Sequence, residues 1–141
     1  MSGRGRLLAI DFGERRIGLA VSDPLGVIAS PVDAIERRPG KRVPVTELLR
    51  RATSLEVTGF VLGLPLDGDG NELPRAAEVR RLADQLHERT AMPVQLVDER
   101  YTTATALRAV REMGGNTRGR RCDVDSLSAA VLLQGVLNAA R

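Results

Sequence analysis

Aromatic side chains are nearly absent from this sequence, with two Phe, one Tyr and no Trp in 141 residues. Its core must therefore be built from Leu, Val, Ala and Ile, and the aromatic platforms on which bases of single strands stack have little to be made from. Cysteine occurs once, at Cys122, which excludes an internal disulfide and any cysteine-cluster zinc site. Histidine also occurs once: His87 sits mid-helix among charges and reads as a surface residue, leaving no support for a Ser–His or Cys–His nucleophile. No run approaches the ~18 apolar residues of a membrane span, and the N-terminal residues lack a signal-peptide core. The expectation is one cytoplasmic domain over 1–141, with no membrane partner.

Lysine is the last scarcity: Lys41 is alone, so 20 of the 21 basic residues are arginine, in a chain of formal net charge +3. A guanidinium donates two parallel hydrogen bonds to a phosphate, so an arginine-leaning surface suits nucleic acid as well as water. The arginines bunch at Arg4 and Arg6, at Arg15 and Arg16, over 37–42 and over 118–121.

What is present alternates in period. Residues 6–11, 16–22 and 27–35 read as three short strands, the last two joined by the turn "DPLG" from Asp23 to Gly26. "VTELLRRATSLEV" has helical spacing, and "GFVLGLPL" is an apolar run of strand length, consistent with burial on both faces. A helix is expected to begin at Pro74, followed by the strand "PVQLVDE", the helix "TTATALRAVREM", the basic loop "GGNTRGRR" and a closing helix from Asp123. The order β-β-β-α-β-α-β-α-α predicts an α/β fold. Its five-stranded mixed sheet joins an antiparallel β1-β2-β3 meander to parallel strands, with helices on both faces.

Three carboxylates fall at element ends: Asp11 ends the first strand, Glu99 ends the last, and Asp125 lies in the first turn of the closing helix. Each has an ordinary explanation as a turn former, an arginine partner or a helix cap. Crowded together without a counter-ion they would repel until one took up a proton. A hard divalent cation relieves that repulsion, and oxygen ligands suit Mg2+ or Mn2+. An acidic centre rimmed by arginines is the arrangement that metal-dependent phosphodiester cleavage requires. "DGDGNELPRAAE" has acidic residues at calcium-loop spacing, but its sixth position is Glu72 in place of Gly and a strand precedes it. It reads as a polar turn.

The segments "LAIDFGERRIGLAVSD", "VLGLPLDGDG", "VQLVDERYTTATA" and "DVDSLSAAVLLQGVL" resemble the signatures of the YqgF/RuvX family, from Leu7 to about Leu137. That resemblance implies a ribonuclease H-like fold and a divalent-metal nuclease. The roles attributed to the family are maturation of the 5′ end of pre-16S ribosomal RNA and resolution of Holliday junctions. By position it implies that Asp11, Glu99 and Asp125 are catalytic and hold Mg2+ or Mn2+, with Asp123 left as an alternative to Asp125. Arg16 and Gly18 also match the first segment, Gly18 as a place where a backbone passes close.

The leading expectation is an endonuclease on structured or single-stranded RNA, with Arg15, Arg16, Arg100, Arg118, Arg120 and Arg121 touching phosphates and Thr102 and Thr103 at a helix start donating to one. The chain is expected to be a monomer or weak dimer, with ribosomal particles as further partners. The nearest rival is cleavage of branched DNA by the same site, which needs a two-fold dimer. A nucleotide-binding module and a non-catalytic RNA-binding factor are the remaining alternatives.

Overall fold

The structure is a computed structural model that describes residues 5–13, 15–37, 43–99 and 123–140, with the backbone alone for 123–125. In chain order the described elements are β1 (Arg6–Phe12), β2 (Arg16–Ser22), β3 (Ala29–Glu36), α1 (Val45–Ser54), β4 (Val57–Leu64), α2 (Arg75–Thr90), β5 (Val94–Asp98) and α3 (Asp123–Ala139). The strands form one sheet in the order β3-β2-β1-β4-β5. β1 pairs antiparallel with β2, and β2 with β3, whereas β1–β4 and β4–β5 are parallel. The expected meander-plus-parallel sheet is therefore present. The expected helix over "TTATALRAVREM", the loop over 114–121 and Cys122 lie outside the described residues.

Alternation along the strands divides the core in two. Leu8, Ile10 and Phe12 of β1 join Ile17 and Leu19 of β2, Phe60 and Leu62 of β4, and the inner stripes of α1 and α2. Ala9, Ala20 and Val61 point the other way and pack against α3 through Ala129, Ala130 and Leu133. Helices thus cover both faces. β4 is buried at almost every position, as a parallel strand between two helical layers must be. The face under α3 carries mostly small side chains, so the helix lies close to the strands.

Several strand boundaries differ from the sequence reading by one or two residues, two of them with a clear cause. β3 begins at Ala29 instead of 27, because Val27 and Ile28 donate their N–H groups to Asp23 Oδ1 at 2.7 and 2.9 Å. β4 begins at Val57 and ends before Pro65, which has no N–H to continue a ladder. The loop after β4 is a polar turn, as read: Asp67 Oδ1 accepts the N–H groups of Asp69 and Asn71, both at 2.9 Å. His87 is exposed near the end of α2. Among the described residues no helix is long and apolar enough to cross a membrane.

The hydrogen bond from the Ile28 N–H is the main cause that holds the Asp23 carboxyl below the usual carboxylate range, against a desolvation cost and with help from Val27. A depressed folded-state pKa stabilises fully above the unfolded value near ~3.9, and the gain fades as pH falls through the folded value. Asp23→Ala removes the acceptor of both exposed hydrogen bonds and is expected to cost at most about 1 kcal/mol at pH 7, since solvent screens the carboxylate. In urea unfolding its deficit should narrow below pH ~4.

Candidate active site

Asp11 is the sixth residue of β1 and pairs across to Gly18 of β2. It shares a strand face with Ala9, on the side that α3 covers. Glu99 follows the last residue of β5. Between these strands lies β4, where Gly63 pairs with Val97 one residue beyond the Ile10–Leu62 pair. The two carboxylates therefore sit at the C-terminal ends of the two strands that flank β4 in parallel, where α/β sheets place ligands.

They meet in one cavity of about 180 Å³, lined by Asp11, Glu99, Ser128 and Leu132. The side chain of Glu99 crosses β4 over Gly63. A Cβ built on Gly63 would lie 2.8 Å from Glu99 Cγ, 2.9 Å from Glu99 Oε1 and 3.2 Å from Leu132 Cδ2. The missing side chain at 63 thus makes the channel through which Glu99 reaches toward Asp11. Both carboxylates are partly exposed, as groups that exchange ligands with solvent must be.

The backbone of Asp125 lies in the first turn of α3, as expected, with Asp123 at the helix start. Ser128, three residues after Asp125, and Leu132 are the α3 residues that line the cavity. Sequence reasoning missed Ser128. Its signal was the i, i+3 spacing from a suspected ligand, but serines in helices are common enough to hide it. Among the described residues no three acidic, histidine or cysteine side chains form a metal-sized cluster.

Arg15 and Arg16 are exposed at the hairpin between β1 and β2, just past Asp11. The hairpin is closed by Gly13 N–H donating to Arg16 O at 3.0 Å. Gly13 is required there, since a Cβ would lie 2.4 Å from that carbonyl oxygen. Two further arginines brace the loop from the α2 side. Arg75 donates to Phe12 O at 3.1 Å. Arg37 donates to Gly13 O at 3.4 Å, pairs with Glu78, and lies 5.1 Å from the Phe12 ring centroid. The remaining expected contacts, Arg100, Thr102, Thr103, Arg118, Arg120 and Arg121, lie outside the described residues.

Comparison with known proteins follows the same lines. The family model described as "RuvX: Holliday junction resolvase" matches residues 5–139. A protein of Kineococcus radiotolerans named "Putative pre-16S rRNA nuclease" is 44% identical over 138 residues, 97% of this chain and 73% of that protein. A Streptomyces coelicolor protein of the same name is 40% identical over 141 residues, 98% of this chain and 83% of that protein. The structure of T. thermophilus RuvC in complex with a Holliday junction substrate superposes with a TM-score of 0.68, covering 97% of this chain and 96% of that one. At 12% identity that likeness speaks for the fold alone, which is ribonuclease H-like.

Gly63→Ala is expected to cost little stability, about 1 kcal/mol, because the flexible Glu99 side chain can swing aside. A crystal structure of the variant should show the Glu99 carboxylate withdrawn from the Asp11 cavity, with β4 unmoved.

Proposed function

The chain belongs to the RuvX family, and from that premise we propose that it is a divalent-metal endonuclease acting on the 5′ end of pre-16S ribosomal RNA. The observation that carries the reading is the convergence of Asp11 and Glu99 on one cavity. The relatives' names favour ribosomal RNA as the substrate.

The donors fit a hard cation. Asp11 and Glu99 offer carboxylate oxygens, Ser128 a neutral hydroxyl, and among the described residues no sulfur or imidazole lines the cavity, a set suited to Mg2+ or Mn2+. Its volume leaves room for an ion that keeps several waters. Asp11 and Glu99 would hold the metal from the strand side, with Asp125 as the third ligand from α3. Such a cation would supply a more acidic attacking water and charge neutralisation at the leaving oxygen.

The chain's own residues do the rest. Asp11 and Glu99 would fix the ion relative to the sheet, and Leu132 is the apolar wall of the cavity. Ser128 stands where its hydroxyl donates to a phosphate oxygen. Arg15 and Arg16 reach flanking phosphates from the hairpin tip, with Arg100, Arg118, Arg120 and Arg121 assigned the same task. Thr102 and Thr103 donate to a phosphate. The enzyme works as a monomer or weak dimer, on RNA alone or within a ribosomal particle.

The family description favours a second reading, cleavage of four-way DNA junctions by the same carboxylates. That reaction needs two cuts related by two-fold symmetry, hence a dimer.

Asp11→Asn, Glu99→Gln and Asp125→Asn should each lower cleavage of labelled pre-16S RNA by on the order of 100-fold or more, with RNA binding retained. Chelation should abolish cutting and Mn2+ restore it. Wild-type cutting by Asp11→Asn would sink the reading, and a sedimenting dimer that cuts junction DNA in preference to RNA would favour the second.

A further inference from the structure

The pairing of β2 with β3 contains an irregularity beside the candidate site. Ile17 pairs with Ile35 and Leu19 with Val32, so the single residue Gly18 of β2 faces Asp33 and Ala34 of β3. Such a bulge interrupts the ladder locally. The interruption is filled by a side chain from α3. The Ser126 hydroxyl donates to Val32 O at 2.5 Å and accepts the Leu19 N–H at 3.3 Å. Ser126 is fully buried, so no water can replace it.

The position of this bridge gives it meaning. Leu19 adjoins Gly18, and Gly18 is the cross-strand partner of Asp11. Ser126 adjoins Asp125. A single hydroxyl thus ties the residue after the third carboxylate to the residue next to the first carboxylate's partner, across 107 positions of sequence. We propose that Ser126 is a positioning residue that sets the distance between Asp125 and Asp11 and so the size of the metal site. This rests on the nuclease reading given above.

A purely structural role has a built-in comparison two helical turns further along. Gln134 is equally buried. It accepts the Ala29 N–H at 2.9 Å and donates to Val27 O at 3.0 Å and to Asn138 Oδ1 at 3.1 Å. Both clamps hold α3 to the β3 side of the sheet, but Gln134 is remote from the carboxylates. If the clamps serve stability alone, breaking either should have the same consequences.

The test compares Ser126→Ala with Gln134→Met in the full chain. Mn2+ affinity is read without RNA by the free-ion electron paramagnetic resonance signal. Cleavage is read as kcat and KM at saturating Mn2+, and folding as the urea midpoint. Ser126→Ala should weaken Mn2+ binding about 10- to 100-fold, the range for outer-shell groups that orient ligands. Its kcat should fall by about tenfold or more while KM for RNA stays unchanged. Gln134→Met should lower the urea midpoint yet leave Mn2+ affinity and kcat within about twofold.

Wild-type Mn2+ affinity in folded Ser126→Ala, or an equal loss in Gln134→Met, would overturn the proposal. Should Ser126→Ala not fold, Ser126→Cys carries the same comparison, since it keeps the side-chain shape but lengthens both bonds and weakens the donor. Asp11→Asn separates the two levels. If it is dead while Ser126→Ala behaves as wild type, only the positioning role fails; if Asp11→Asn still cuts, the nuclease reading fails.

Discussion

The site depends on how closely one helix can lie against one face of the sheet. Ala9, Ala20 and Val61 leave a shallow surface under α3, and Ala129 and Ala130 answer from the helix. Close approach brings Ser128 and Leu132 over the ends of β1 and β4, where Asp11 and Glu99 arrive from the strands. With bulky residues on that face the helix would stand off, and the cavity would open into a groove too wide for one ion to bridge. The scarcity of aromatics in the sequence is consistent with this requirement. Both Phe residues of the described core, Phe12 and Phe60, are on the opposite face.

The sheet was legible in the sequence because its signals are local. Strand alternation, the turn at Asp23–Gly26 and the proline before α2 each act within a few residues, and all three appear where expected. Boundaries slipped where a side chain competed with the ladder, as the Asp23 carboxylate does for the amides of Val27 and Ile28. The convergence of Asp11 and Glu99 followed from topology, once the strands were ordered. The part that could not be read was longer in range. Nothing local to Gly63 says that Glu99 will cross it, and nothing in "DSLS" says that its first serine fills a bulge between strands more than 90 positions away.

Several of the described arginines are engaged within the fold. Arg37 and Arg75 donate to backbone carbonyls and Arg37 also pairs with Glu78, so both shape the loop beyond Asp11, Arg37 largely withdrawn from solvent and Arg75 at the surface. Arg51 is bound to Glu47 and to Asp33 O, and Arg80 to Glu72. Among the described residues, Arg15 and Arg16 stand exposed at the hairpin tip, near the carboxylates, and the exposed Arg81 lies apart from them on α2.

The two-layer division of the core separates what holds the fold from what shapes the cavity. The larger apolar layer, with α1 and α2, is built on the face turned away from the carboxylates, so the scaffold draws most of its burial from contacts that Asp11 and Glu99 do not share. Substitutions can therefore accumulate around the cavity while the opposite half of the core keeps the sheet in register.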